Sequence, residues 1–151
     1  MRSYRSVFIS DVHLGTADCQ AEYLLDFLNQ VRCETLYLVG DIIDLIAMQR
    51  RVHFPDSHQA VIHKLIELAA SGTRVVYVPG NHDDFLRRFC GQTIAGIELR
   101  YKAVHTTADG RRFMVCHGDQ FDQVVRCSPL MPTLAHSLLP SSCSSSKLEP
   151  R

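Results

Sequence analysis

Residues 35–44 read TLYLVGDIID, an apolar run that ends in a glycine and two aspartates. The run has the length of a buried strand, and Gly40 allows a sharp turn where the strand ends. Three other stretches share this form: RSVFISDVH (5–13), RVVYVPGNHDD (74–84) and RRFMVCHGD (111–119). We therefore predict four strands that each deliver polar side chains at their carboxyl ends. They span Ser6–Ser10, Thr35–Val39, Arg74–Val78 and Arg111–Cys116.

Helical patterns fill most of the sequence between these strands. Apolar residues recur at helical spacing over Cys19–Val31 and Ser57–Ala70, and a shorter helix is predicted from Asp83 to Phe89. A further strand over Glu98–His105 and the strand over Arg111–Cys116 are predicted to form a hairpin. Strands that alternate with helices predict an α/β fold of layered, mixed sheets flanked by helices.

The overall composition excludes several classes of protein. Hydrophobic residues make up 46% of the 151 residues and charged residues 21%, as in an ordinary globular domain. The formal net charge is zero, so no positive field recruits nucleic acid, and any affinity for anions must arise locally. No apolar run is long enough to span a bilayer, and six cysteines without a CxxC pair indicate reduced thiols in the cytoplasm.

The polar clusters are expected to converge, because ligands bind at the carboxyl ends of strands in open α/β sheets. Two carboxylates, two imidazoles and one amide oxygen form a mixed nitrogen and oxygen set that suits Mn, Fe or Zn better than Mg or Ca. Two divalent ions would keep residual positive charge, which suits a phosphate-containing small molecule. The five candidate metal ligands are Asp11, His13, Asp41, Asn81 and His117.

Each of these residues, taken alone, has an ordinary structural explanation. An aspartate or asparagine after a strand is usually a turn or cap residue, and only the joint pattern favours a metal site. Asp44 and Asp119 remain open between support of a metal ligand and simple capping. The segment MQRR (48–51) remains open between a solvated stretch and a contact to an anionic substrate. Packing or solvated roles are expected for His53, His58 and His63.

The motifs DVH, GDIID, GNHD and HGD, in this order within residues 5–125, resemble the calcineurin-like metallophosphoesterase superfamily. The resemblance implies a layered metallophosphoesterase sandwich that holds two divalent ions, with Mn expected first. Asp11 and His13 would bind one ion, and Asp41 would bridge both. Asn81 and His117 would bind the second ion.

The same resemblance implies roles in catalysis and substrate binding. His82 would contact the scissile phosphate or protonate the leaving oxygen, and Asp83 would orient His82. Arg87 or Arg88, shortly after GNHD, is expected to reach a substrate phosphate beside Asn81.

Four longer segments of the chain resemble the bacterial UDP-2,3-diacylglucosamine diphosphatase group: YRSVFISDVHLGT, LYLVGDIIDL, VVYVPGNHDDFLRRF and CHGDQFDQVVRCSPL. This similarity implies hydrolysis of the diphosphate in a nucleotide-sugar lipid during lipid A biosynthesis. The enzyme would be cytoplasmic, with peripheral contact to the inner membrane. The alternatives are a generic phosphodiesterase or phosphatase on nucleotides or small phosphate esters, and an inactive fragment.

The chain departs from the superfamily pattern at its C-terminal end. The last motif of the superfamily, Gly-His-X-His, is absent, and proline and serine dominate after Arg126. We predict a C-terminally incomplete metallophosphoesterase domain over residues 1–126 and a disordered or frameshifted tail over 127–151. Each ion would then have three protein ligands, and open sheet edges would favour pairing with another chain.

Overall fold

The structure, a computed structural model, describes residues 2–121. Its main sheet has five strands: β1 (Arg2–Ile9), β2 (Val31–Val39), β3 (Arg74–Val78), β4 (Thr93–Ile94) and β5 (Ile97–Leu99). They lie in the order β1-β2-β3-β5-β4, parallel except for β4, which is antiparallel to β5. A separate antiparallel pair consists of β6 (Ala103–Thr106) and β7 (Arg112–Val115).

Three α-helices and one 3₁₀ helix connect the strands of the main sheet. They are α1 (Ala21–Gln30), α2 (Leu45–Arg50), α3 (Asp56–Ala70) and the 3₁₀ helix Asp84–Phe89. All these elements belong to the unit Met1–Asp119, and the second unit, Gln120–Arg151, lies almost wholly outside the described residues. The predicted tail over 127–151 lies outside them too. In residues 2–121 the helices are too short or too polar to cross a bilayer.

Hydrophobic alternation along the central strands produces two packed faces. Leu36 and Leu38 of β2 belong to a cluster that includes Val61 and Leu65 of α3. Tyr37 lies between them in sequence and joins a second cluster with β7 through Val115. Successive side chains of a strand point to opposite faces, so one strand supports both layers. This arrangement confirms the predicted α/β fold of mixed sheets flanked by helices.

Two predicted elements differ in type or continuity, and β1 and β2 each begin four residues earlier than predicted. The strand over Glu98–His105 is interrupted, because β5 pairs with β3 while β6 pairs with β7 in the other sheet. The Arg100 N–H still donates to the Tyr77 carbonyl at 2.9 Å, and the chain bends directly afterwards. The helix predicted from Asp83 to Phe89 is a 3₁₀ helix that begins at Asp84.

The parallel register brings the carboxyl ends of β1, β2 and β3 to one edge of the sheet. Val39 of β2 pairs with Val78 of β3, and main-chain hydrogen bonds continue beyond this pair. The Gly40 N–H donates to the Val78 carbonyl at 2.7 Å, and the Asp11 N–H donates to the Gly40 carbonyl at 3.1 Å. The loops that follow these strands are therefore held side by side.

Asp83 ties these loops together from inside the protein and is 0% exposed. Its carboxylate accepts hydrogen bonds from the Ile42 N–H at 2.9 Å and the Gly80 N–H at 2.5 Å. It also accepts one from the Tyr77 hydroxyl at 2.6 Å. Burial, together with the adjacent Asp83 carboxylate, raises the pKa of Tyr77 well above its ordinary value, so Tyr77 remains a donor. The His82 ring pairs instead with Asp44, with 2.9 Å between its Nδ1 and a carboxylate oxygen.

We expect Asp83→Asn to destabilise the fold by at least about 2 kcal/mol, because an amide cannot accept all three hydrogen bonds. Chemical denaturation monitored by circular dichroism measures the change, with exposed Asp26→Asn on α1 as the matched control. If Asp83→Asn unfolds at the same denaturant concentration as wild type but loses phosphoesterase activity, the result would instead indicate that Asp83 serves only to orient His82.

We expect the stability contributed by Glu98 to depend on pH. Hydrogen bonds from Arg74, assisted by Arg100, lower the pKa of the Glu98 carboxyl from 4.5 to about 2. A lowered folded-state pKa stabilises the fold above pH 4.5, and this contribution is lost as the pH falls towards 2. Glu98→Gln should cost about 1 kcal/mol near neutral pH, reduced by solvent screening, and only a small part of that at pH 2, where the carboxyl is half protonated. Urea denaturation across this range is the measurement, and a difference independent of pH would contradict the expectation.

Candidate metal centre

Three of the predicted metal ligands converge at the carboxyl edge of the main sheet. Asp11, His13 and Asp41 each offer a ligand atom, and these atoms lie within 4.8 Å of one another. All three residues have left-handed backbone, with φ of 55°, 55° and 56°. Such backbone is rare outside glycine and costs on the order of 1–3 kcal/mol per residue. The fold thus maintains local strain at the residues that would hold an ion.

His117 of the HGD motif approaches the same group from the end of β7. Its Nε2 atom lies 3.8 Å from a carboxylate oxygen of Asp11 and 3.8 Å from one of Asp41. The His13 Nε2 atom lies 4.0 Å from the same Asp41 oxygen. These distances are too long for hydrogen bonds. Two ligands of one ion such as Zn²⁺, each about 2.0–2.2 Å from it, lie up to about 4.4 Å apart, so the spacing suits a shared cation.

Asp44 orients the two histidines on the other side of this group. One of its carboxylate oxygens lies 3.0 Å from the His13 Nδ1 and 2.9 Å from the His82 Nδ1. Its other oxygen accepts from the Ala47 N–H at 2.7 Å and caps α2. Asp44 therefore combines the two roles that the sequence left open. With Nδ1 engaged, the Nε2 atom of His13 remains available as a ligand, as is usual for metal-binding histidines.

The protonation states agree with this arrangement. Burial would raise the pKa of Asp44, but hydrogen bonds from Ala47, His82 and His13 outweigh it and lower the pKa below its ordinary value. An ionised Asp44 only accepts hydrogen bonds, so both histidines donate their Nδ1 protons to it. The hydrogen bond to Asp44 in turn raises the pKa of His82.

Asp119 supports His117 in the same way. Its carboxylate lies 3.0 Å from the His117 Nδ1 and forms a close ion pair with Arg87. Burial opposes ionisation of Asp119, but the hydrogen bonds from Arg87 and His117 lower its pKa. Arg87 also pairs with Asp84 at 2.9 Å. The guanidinium expected to contact substrate is thus engaged by two carboxylates and holds Asp119 beside His117.

Two glycines allow these side chains to approach the main chain closely. A Cβ atom at Gly40, where φ is +70°, would overlap the His117 ring. A Cβ atom at Gly80 would lie 2.8 Å from the His117 Nδ1 and would overlap the Asp41 carboxylate. Any other residue at either position would push His117 away from Asp41.

The remaining predicted residues lie at the edge of this group. The His82 N–H donates to the Asp41 carboxylate at 2.9 Å, which places the GNHD loop beside Asp41. The Asn81 side chain is exposed and makes no hydrogen bond within residues 2–121. Arg88 is exposed, with its guanidinium 4.0 Å from the centre of the Phe85 ring. The structure brings Asp11, His13, Asp41 and His117 together, whereas Asn81 and Arg88 form no hydrogen bond or ion pair with that group within residues 2–121.

The sequence did not reveal the second cluster, in which His13, Asp44 and His82 offer ligand atoms within 4.8 Å of one another. The feature of the sequence that could have indicated this cluster is the spacing of the two aspartates in GDIID. Asp44 follows Asp41 by three positions, so one short loop presents both carboxylates to neighbouring histidines.

A cavity of about 570 Å³ opens beside Asp11 and His13. Its volume is typical of a site for a small molecule. Its lining combines the apolar residues Ile9, Val12 and Leu24 with the polar residues Thr16, Asp18 and Gln20.

Among known proteins, this chain is similar to a hydrolase and to a nuclease. UDP-2,3-diacylglucosamine hydrolase of Ralstonia nicotianae is 33% identical to this chain, over 74% of the chain. The chain spans 42% of the length of that relative. The nuclease MPE of Pseudomonas putida aligns over 63% of this chain and 46% of its own, with 25% identity and a TM-score of 0.38.

A family model described as calcineurin-like phosphoesterase matches residues 4–137. This match confirms the superfamily and the hydrolase class that the four motifs predicted. On this evidence the chain belongs to the calcineurin-like phosphoesterase family.

Proposed function

We propose that the chain is a metal-dependent hydrolase of phosphate esters or diphosphates that uses two divalent ions, with Mn the first expectation. Asp11, His13, Asp41, Asn81 and His117 are the proposed ligands. One observation supports the proposal most directly: ligand atoms of Asp11, His13 and Asp41, from the loops after β1 and β2, lie within 4.8 Å of one another. The donor set of carboxylate and imidazole suits Mn, Fe or Zn.

When bound, such ions polarise phosphoryl oxygens and provide a nucleophile from water. The protein's own residues prepare the rest of the reaction. Asp44 holds the His13 ring, Asp119 holds the His117 ring, and both rings are kept from rotating. His82, with its pKa raised by Asp44, is the proposed proton donor to the leaving oxygen.

The proposed substrate is a nucleotide-sugar lipid of the UDP-2,3-diacylglucosamine type, as in lipid A biosynthesis. The Ralstonia relative supports this substrate through its name. We propose a cytoplasmic location with peripheral contact to the inner membrane, where such a lipid is accessible. The cavity beside Asp11 would hold the organic group attached to the reacting phosphorus.

A second candidate function is hydrolysis of nucleotides or small phosphate esters. The size of the cavity favours it, because about 570 Å³ is typical of a site for a small molecule. Both candidate functions use the same metal centre, and they differ only in the organic group attached to the reacting phosphorus.

We expect Asp41→Asn to reduce Mn-dependent turnover of bis-p-nitrophenyl phosphate by more than about 100-fold, because a proposed bridging carboxylate is lost. Metal content by mass spectrometry and initial rates are the measurements. Exposed Asp26→Asn removes the same charge outside the centre and serves as the control.

Comparing UDP-2,3-diacylglucosamine with the simple ester then separates the two candidates. Turnover of the simple ester alone would favour the second candidate function, hydrolysis of nucleotides or small phosphate esters. Wild type and Asp41→Asn that are equally inert and free of metal would overturn both, and would identify an inactive fragment.

We expect Asp44→Asn to weaken Mn binding by about 10–100-fold, the usual effect of removing a residue that orients a metal ligand. The asparagine oxygen can still accept from the Ala47 N–H, so α2 keeps its cap. The lost interaction is the acceptor for His13 and His82. Isothermal titration calorimetry measures the affinity, with exposed Asp109→Asn as the control. Equal affinities for the two variants would show that Asp44 acts only as a helix cap.

A further inference from the structure

The loop that carries the proposed ligand His13 is hydrogen-bonded through its main chain to the residues that follow β2. The His13 N–H donates to the Asp41 carbonyl at 2.9 Å, and the Leu14 N–H donates to that of Ile42 at 2.9 Å. The Leu14 carbonyl accepts from the Asp44 N–H at 2.7 Å. Within residues 2–121 this main-chain pairing ends at Leu14, and a side chain holds the next residue of the loop.

A buried histidine of α3 provides that side chain. The Gly15 N–H donates to the Nδ1 atom of His58 at 3.1 Å, across 43 positions of sequence. Gly15 is buried, and His58 is only 2% exposed. Leaving a buried N–H without an acceptor is strongly unfavourable, so this hydrogen bond restrains the main chain of the loop.

The His58 ring is held in one orientation by its neighbours. It lies edge-on to the rings of Phe54 and His53, with centroids 5.4 Å and 5.7 Å away. Burial, assisted by His53, lowers the pKa of His58 below its ordinary value, which keeps the ring neutral near pH 7. A neutral imidazole that accepts at Nδ1 carries its proton on Nε2. His58 therefore offers the loop a fixed acceptor.

The loop turns sharply at the residue that His58 holds. Gly15 has a φ of +110°, and a Cβ atom there would lie 2.7 Å from the Met48 side chain of α2. His13 has a left-handed φ of 55°, which a residue other than glycine keeps only where its surroundings restrain it. Only Leu14 lies between Gly15 and His13, so a change in the Gly15 main chain also changes the direction of the chain at His13.

We propose that His58 is a positioning residue of the metal centre, because its hydrogen bond to Gly15 maintains the loop conformation in which His13 serves as a ligand. The inference rests on the proposed function, in which His13 binds an ion. Asp44 orients the His13 ring, whereas His58 holds the main chain that carries this ring. His58 belongs to neither group of converging ligand atoms in residues 2–121, so it acts through Gly15.

Three substitutions on α3 separate positioning from packing. His58→Leu keeps a bulky side chain but removes the acceptor, whereas His58→Asn keeps an acceptor oxygen close to the position of Nδ1. Val61→Ala, one turn further along α3, removes packing from a residue that is 0% exposed and leaves the acceptor for Gly15 in place.

We expect His58→Leu to weaken Mn binding about tenfold and His58→Asn to recover most of this loss, because only the leucine variant lacks the acceptor. Val61→Ala should lower the melting temperature but bind Mn as wild type does. Isothermal titration calorimetry, below the melting temperature of every variant, measures the affinity. Equal affinities in wild type and His58→Leu, or the same loss in Val61→Ala, would overturn the positioning role.

A second measurement uses wild type alone and does not require any variant to fold. A direct N–H···N hydrogen bond transmits a scalar coupling between its two nitrogens, so nuclear magnetic resonance of the metal-free chain should show one between the Gly15 amide and the His58 Nδ1. Its absence would overturn the inference whatever the variants do.

Failure of the proposed function has a different signature. A wild-type chain that binds no Mn would count against that function. Hydrogen exchange of the Gly15 amide in metal-free protein would then decide whether His58 holds the loop. Faster exchange in His58→Leu than in His58→Asn would support this contact, and equal exchange rates would overturn it.

Discussion

Main-chain hydrogen bonds between the loops after β1, β2 and β3 are the constraint on which the candidate site depends. Gly40 donates to the carbonyl of Val78, Asp11 donates to that of Gly40, and His13 donates to that of Asp41. These bonds continue the sheet past the ends of its strands, so neighbouring loops cannot separate. The left-handed backbone of Asp11, His13 and Asp41 then brings their side chains together. Within these loops the strained backbone is confined to these three residues, whereas the main-chain hydrogen bonds extend across three strands. The hydrogen bonds can therefore maintain the strained conformation.

Three carboxylates that are not proposed ligands, two of them buried and one half-buried, hold the loops and the imidazole rings in place. Asp83 joins β2 to β3 through three donors, while Asp44 and Asp119 each hold an imidazole that faces Asp41. Removing a carboxylate from water is unfavourable unless its oxygens are hydrogen-bonded, and all three are satisfied in this way. Stability and ligand orientation thus arise from the same hydrogen bonds.

The sequence predicted the parts of the fold that depend on local pattern. Apolar runs ended by glycine or proline located β2 and β3, and the order of polar clusters located the edge where Asp11, Asp41 and His117 meet. It did not reveal α2, because six residues are too few for helical periodicity and the Asp44 cap decides where the helix begins. Nor could it show which donor each aspartate accepts from. The partners of Asp44 and Asp83 lie up to 41 residues away, so these roles follow from the tertiary structure.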